Sequence, residues 1–149
     1  MGKITKIIEI EAPPEKVFDF ISDMEKMNEV SKGITKNEIT SKGPIGVGTT
    51  GHTIVYNKTG GVQAEVDMEV TEFEENKKVS MRTIGKSKFK LNMQWVFEPT
   101  AKGTKLTKTT EYELPYSILG KLIDVLSFHK NVEKVDEKGL RDLKKALET

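Results

Sequence analysis

The chain has 149 residues, a length typical of one domain with a sizeable apolar core. Lys and Arg number 24 against 23 Asp and Glu, so no global charge favours a polyanionic partner. No cysteine is present, which excludes disulfides and thiolate chemistry. The N-terminus has no apolar run typical of a signal peptide, and no segment is apolar enough to span a bilayer. We therefore expect a cytoplasmic protein of a single domain, residues 1–149, without stable membrane insertion.

The first thirty residues predict one strand and two short helices. The segment "KITKIIEIEA", residues 3–12, is rich in isoleucine and predicts a strand that Pro13 and Pro14 end. Apolar residues at helical spacing follow in "EKVFDFISDMEKMNEV". Ser22 and Asp23 predict a break in this segment, after which a second short helix begins.

From Ile34 onward the pattern has period two over about eighty residues and predicts about six more strands. Short turns such as "TAKG" join these strands, and only antiparallel neighbours can be joined by so few residues. A helical pattern follows Pro115 and runs to the C-terminus. One strand, two short helices, further strands and a long helix predict an α+β protein whose helices cover one apolar face of the sheet.

The stretch "GPIGVGTTGHT", residues 43–53, contains the spacing G-x-G-x-x-G at Gly46, Gly48 and Gly51. A dinucleotide site needs a strand before this loop and a helix after it, so that phosphate meets the helix N-terminus. Here strand patterns stand on both sides of the loop. The glycines therefore predict a hairpin connection and not a phosphate site.

Four segments together resemble the START-like, Bet v 1-like superfamily, in particular its polyketide cyclase/dehydrase and lipid-transport branch. These are the opening "IEIEAPPEKVFDFISDMEKM", the glycine loop, the hairpin "WVFEPTAKGTKLTKTTEYELP" and the closing "LGKLID…LRDLKKALE". The resemblance implies a helix-grip fold, in which a curved seven-stranded antiparallel sheet wraps around a long C-terminal helix, with the two short helices between strands 1 and 2. It also implies an internal cavity for small hydrophobic molecules, and it places the glycine loop at the mouth of that cavity.

Residues on the predicted inner faces are the candidates for ligand contact. Methionine adapts to irregular apolar spaces, and three methionines fall on the apolar face of the sheet. The last strand has an inner phase that includes Lys108 and Tyr112, and "HTIVYN" places His52, Ile54 and Tyr56 on one face. The predicted apolar wall consists of Met68, Met81, Leu91, Met93, Trp95 and Leu126, and the predicted polar contacts are Tyr56, Lys108, Tyr112 and His129.

The C-terminal helix carries three ionisable residues in the middle of its apolar stripe. Ile118, Leu122, Leu126, Leu140, Leu143 and Leu147 form that stripe at helical spacing. Its centre is occupied by His129, Glu133 and Asp136, and unpaired burial of such groups is costly. We expect a bend or break near "SFHKN" that turns them toward solvent. The alternative is a straight helix whose middle faces a polar part of the cavity.

Three functions are compatible with these patterns. The leading hypothesis is binding, or transport, of a small hydrophobic or amphipathic molecule such as a lipid or polyketide-like compound. The alternatives are a cyclase or dehydratase that uses the same polar groups, and a module that binds a protein partner. His52 and His129 lack metal-ligand spacing, and the lysines near residue 88 lack stacking aromatics on their face. We therefore predict no metal, no cofactor, no nucleic acid, no assigned catalytic residue, and a monomer or weak homodimer.

Overall fold

The structure, a computed structural model, describes residues 2–86, 90–113 and 122–149. Its strands are β1 (Gly2–Ile10), β2 (Thr35–Ile39), β3 (Thr50–Tyr56), β4 (Val62–Glu74), β5 (Lys78–Ile84), β6 (Lys90–Pro99) and β7 (Thr104–Glu113). The helices are α1 (Pro14–Ile21), a short 3₁₀ helix (Lys26–Glu29) and α2 (Leu122–Leu147). No helix within these ranges is long and apolar enough to cross a membrane.

All seven strands belong to one antiparallel sheet of order β1-β7-β6-β5-β4-β3-β2. Together with the two short helices after β1 and the long closing helix, this is the helix-grip α+β fold, and the predicted fold class is confirmed. The glycine stretch connects β2 to β3 within an antiparallel pair, so it lacks the helix that a nucleotide loop requires. Gly43 and Gly48 both have a φ of 92°, a backbone conformation that other residues rarely adopt.

The solid part of the core lies where α1 and the last turns of α2 meet the sheet. Helix α1 starts at Pro14 and ends at Ile21, and the N–H of the next residue, Ser22, donates to the carbonyl of Phe18. The ring of Phe18 makes edge-to-face contacts with Phe73 and Phe97, each with centroids 5.2 Å apart. From α2, this core receives Leu140, Leu143 and Leu147, all buried. The middle of α2 lies beyond this packed region, and the space beneath it is the cavity described below.

Helix α2 is continuous over 26 residues, so the expected break near "SFHKN" is wrong. The sheet supplies partners for ionisable groups along this helix. On the β1 side, Lys6 Nζ lies 3.4 Å from Glu133 and 2.8 Å from Glu137. At the C-terminal end, Lys144 Nζ donates to the carbonyl of Glu9 at 2.8 Å. The predicted helical residues before Leu122, including Ile118, lie outside the described residues.

Candidate ligand-binding site

A cavity of about 400 Å³ lies between the inner face of the sheet and the middle of α2. This volume is within the range of roughly 300–1,000 Å³ that small-molecule sites occupy. Side chains from α1, the turn after the 3₁₀ helix, six strands and α2 surround it. Its apolar lining is formed by Ile21, Met24, Met27, Ile34, Val55, Ala64, Val66, Met68, Met81, Leu91, Met93, Trp95, Phe128, Val132 and Val135.

Three methionines from neighbouring strands make much of this wall adaptable. Met81 of β5 pairs directly with Met93 of β6 in the sheet register, and Met68 comes from β4. Met68 and Met81 are buried, and Met93 is half-buried. Unbranched thioether side chains change rotamer at little cost, so this wall can accommodate ligands of different outline.

A buried ion pair lies on the wall formed by β7 and α2. Lys108 Nζ is 2.9 Å from Asp136 Oδ1, and Thr110 donates its hydroxyl to Asp136 Oδ2 at 2.7 Å. The ammonium also lies 5.2 Å from the ring centre of Trp95, a cation–π contact. Exposure is only 14% for the Lys108 side chain and 5% for that of Asp136. Both carboxylate oxygens are therefore bonded, and the charge of each partner is compensated inside the protein.

A second polar group of the lining comes from β2 and β3. Thr53 donates its hydroxyl to Asn37 Oδ1 at 2.7 Å, and the Asn37 backbone N–H donates to Asn28 Oδ1 at 2.7 Å. Asn28 in turn donates from Nδ2 to the Asn37 carbonyl at 2.9 Å. These bonds hold the 3₁₀ helix against β2. Asn37 and Thr53 reach the cavity with amide and hydroxyl groups that can exchange hydrogen bonds with a ligand.

Six of the predicted contact residues lie on the cavity wall, and four lie elsewhere. Those on the wall are Met68, Met81, Leu91, Met93, Trp95 and Lys108. Tyr56, Tyr112, Leu126 and His129 are not among the lining residues. Leu126 is 53% exposed on α2. The Tyr112 hydroxyl is hydrogen-bonded to His129 Nδ1, and burial raises the pKa of this phenol, so it stays neutral.

Strand β3 has the opposite phase to the one expected. Thr53 and Val55 line the cavity, whereas His52 lies on the outer face. There His52 Nδ1 is 2.8 Å from Asp67, and Nε2 is 3.1 Å from Glu65. Hydrogen bonds to Asp67 and then to Glu65 raise the pKa of His52 above its ordinary value. This cluster belongs to the outer surface and takes no part in the cavity.

The three ionisable residues in the middle of α2 face three different environments. Asp136 lies in the cavity wall, His129 contacts Tyr112, and Glu133 pairs with Lys6 at the β1 side. The solvent-facing expectation is therefore wrong for Asp136, which is buried because Lys108 and Thr110 bond its carboxylate. In the sequence, the position of Asp136 within the apolar stripe of the helix was the signal that could have indicated its burial. Thr110 falls on the predicted inner phase of the last strand but was not among the predicted contacts. Asn37 and Thr53 were not predicted, since each is an ordinary strand residue in the sequence.

The glycine loop takes no part in the lining. No residue from Gly43 to Gly51 borders the cavity, in contrast to the position at its mouth that the resemblance implied. The rim instead includes Asn131 and Val135 of α2, both exposed. In the described ranges, no group of three or more His, Asp or Glu side chains is arranged to hold a metal ion.

A second depression, of about 450 Å³, lies at the ends of β5, β6 and β7. Arg82, Lys90, Glu111 and Glu113 border it, and Lys90 pairs with Glu113 at 3.7 Å. Its charged border suits water better than an apolar molecule. The cavity under α2 is therefore the better candidate for ligand binding.

An antiparallel sheet that grips a long C-terminal helix over an apolar cavity defines the helix-grip class of proteins. A sequence model of the family described as polyketide cyclase/dehydrase and lipid transport matches residues 1–148. The chain belongs to this family, and the resemblance seen in the sequence is confirmed. Among curated proteins, no sequence matches this chain.

Solved structures with this fold include protein TTHA0849 from Thermus thermophilus, at 23% identity and a TM-score of 0.81, covering 98% of this chain and 97% of that one. The Zhui aromatase/cyclase from Streptomyces sp. R1128 is 12% identical with a TM-score of 0.76. The match covers 99% of this chain and 93% of that one. The di-domain aromatase/cyclase BexL of the BE-7585A biosynthetic pathway is 15% identical with a TM-score of 0.79, covering 99% of this chain and 50% of that protein. At these identities the likeness concerns the fold.

Proposed function

We propose that the protein binds a small hydrophobic or amphipathic molecule in the cavity under α2. The observation that carries this proposal is an apolar space of about 400 Å³ whose wall holds one buried ion pair. That space would hold on the order of a dozen water molecules, and the apolar lining gives them few hydrogen-bond partners. Replacing them with apolar ligand surface is favourable by about 25 cal/mol per Å² of surface removed from water.

Binding is tested with Nile red, an uncharged dye whose fluorescence rises in apolar surroundings. The protein is expected to bind the dye saturably and to release it when a competing apolar ligand is added. Native mass spectrometry of the freshly purified protein provides a second measurement, since a retained ligand appears as added mass that organic extraction removes. A dye that does not bind saturably would contradict the proposal.

Two tryptophan variants test whether the dye binds inside the cavity. One fills the cavity, and the other is its control. Ala64 of β4 lines the cavity, so Ala64→Trp places an indole inside it and is expected to abolish saturable binding. Ala101 is exposed in the turn between β6 and β7. Ala101→Trp adds the same ring outside the cavity and is expected to bind the dye as the wild type does.

A cyclase or dehydratase is the second candidate, and the position of Lys108 favours it. An ammonium held in a water-poor cavity can polarise a ligand carbonyl. The aromatase/cyclase structures with this fold make such chemistry relevant to the family. The test is turnover of a linear poly-β-ketone, followed by mass spectrometry for the loss of water. Lys108→Met should remove turnover if this function is present, whereas Lys105→Met, on the same strand but exposed, should not.

A further inference from the structure

The charges on the cavity wall indicate which polar group a bound ligand carries. Among the described residues that line the cavity, Lys108 and Asp136 are the ionisable ones. They bond each other at 2.9 Å, so the wall as a whole is neutral. The lining therefore offers no net charge to balance a charge on a ligand.

The carboxylate of Asp136 has little hydrogen-bonding capacity left for a ligand, whereas the ammonium of Lys108 still has N–H donors to offer. One carboxylate oxygen accepts from Lys108 and the other from the Thr110 hydroxyl. An ammonium group has three N–H donors, and Asp136 takes one of them. The ring of Trp95 lies beside the ammonium, and both residues line the cavity. A remaining N–H is therefore available to an acceptor atom in the cavity.

The lysine on the β1 side of α2 does not favour an anion either. Lys6 lies on the β1 side of the helix, and it is bonded to both Glu133 and Glu137. His129, one turn before Glu133, is hydrogen-bonded to the neutral Tyr112 hydroxyl. Lys6 therefore contributes no uncompensated positive charge toward the cavity.

We infer that the ligand is an uncharged molecule with a carbonyl or similar neutral oxygen acceptor, and that the cavity discriminates against carboxylates. This inference rests on the proposed binding function. Lys108 donates a hydrogen bond to a ketone, ester or lactone oxygen while it keeps its bond to Asp136. A ligand carboxylate would place a second anion beside a single cation in a poorly hydrated space, where an unpaired charge is costly.

The test compares two ligands of equal chain length, 2-dodecanone and dodecanoate, as competitors of Nile red. At a pH of about 7.5 the carboxyl group is ionised. The wild type is expected to release the dye at a concentration of the ketone at least about tenfold lower than that of the carboxylate. A factor of this size corresponds to a difference of about 1.4 kcal/mol in binding free energy.

The variant Asp136→Asn removes the compensating charge and leaves Lys108 cationic. Its preference is expected to shift toward dodecanoate by at least about tenfold relative to the wild type, because the ligand carboxylate now pairs with the ammonium. Asp142→Asn is the matched control: the same substitution on the same helix at a carboxylate outside the lining, paired with Lys138. It should leave the preference unchanged.

The outcomes separate this inference from the function on which it rests. If the wild type binds dodecanoate as well as the ketone, the inference is overturned while ligand binding stands. If the wild type does not bind the dye, the ketone or the carboxylate, the proposed function itself fails. The wild-type comparison needs no variant, so it decides the question even if Asp136→Asn does not fold.

Discussion

Gly51 of β3 lies directly beneath the side chain of Met24. A Cβ atom at position 51 would overlap Met24 Sδ and would approach the carbonyl oxygen of Glu38 to 3.1 Å. The last glycine of the G-x-G-x-x-G spacing therefore serves packing and not phosphate binding, because Met24 is buried and borders the cavity. Any larger residue at this position must push Met24 aside.

Gly51→Ala is expected to lower the free energy of unfolding by about 1–3 kcal/mol, the usual cost of overpacking. It should also weaken Nile red binding, because the displaced Met24 moves toward the cavity. Gly46→Ala is the control, since nothing lies within 4 Å of a Cβ there, and a change within about 0.5 kcal/mol is expected. Urea unfolding and dye titration of both variants provide the measurements. If Gly51→Ala and Gly46→Ala had equal free energies of unfolding, the packing of Met24 would not depend on the absence of a side chain at position 51.

His52 makes part of the stability dependent on pH. Its imidazolium is bonded to Asp67 and Glu65, which raise the pKa of His52 in the folded state. The stabilisation is therefore fully present below about pH 6.5, the pKa of an unperturbed histidine, and is lost as pH rises through the raised folded pKa. His52→Gln should destabilise the protein more at pH 5.5 than at pH 8.5, both chosen as approximate limits of this window. A titration of His52 by NMR measures the raised pKa directly, and a pKa below that of a free histidine would contradict the assignment.

Tyr112 and His129 are expected to stabilise the contact of β7 with α2 without taking part in binding. Their side chains are hydrogen-bonded to each other, and neither lines the cavity. Tyr112→Phe should cost about 0.5–1.5 kcal/mol of stability, the net contribution of one hydrogen bond, and leave the affinity for 2-dodecanone unchanged. Lys108→Met, in contrast, should weaken ketone binding. If Tyr112→Phe abolished ketone binding, Tyr112 would be a ligand contact as the sequence predicted.

The sequence predicted the parts of the cavity wall that lie on long, regular strands. Alternation over β4 and β6 assigns Met68, Met93 and Trp95 to one face because period two leaves no other arrangement for a strand of ten or more residues. The phase of β7 likewise placed Lys108 inside. Strand β3 has seven residues with no clear alternation of apolar and polar side chains, so its phase was predicted wrongly.

The environment of α2 could not be predicted from its own residues. A helical pattern shows that Asp136 shares a face with leucines. It does not show whether a hydrogen-bond donor lies opposite on the sheet. Lys108 and Thr110, which make burial of Asp136 possible, are 28 and 26 positions away in the chain. The burial of Asp136 and the identity of the polar site therefore depend on tertiary contacts.

The buried pair of Lys108 and Asp136 should show strong coupling in a double-mutant cycle. Asp136→Leu alone leaves a poorly hydrated ammonium without its counter-ion, and Lys108→Met alone leaves a buried carboxylate; each is expected to cost about 3–5 kcal/mol. The double variant has neither charge, so its loss should be well below the sum of the two. The exposed pair of Lys138 and Asp142, 2.6 Å apart on α2, is the control, with an expected coupling below about 1 kcal/mol. Additive losses at Lys108 and Asp136 in urea unfolding would mean that water compensates each charge separately, and the neutral cavity wall would then have no physical basis.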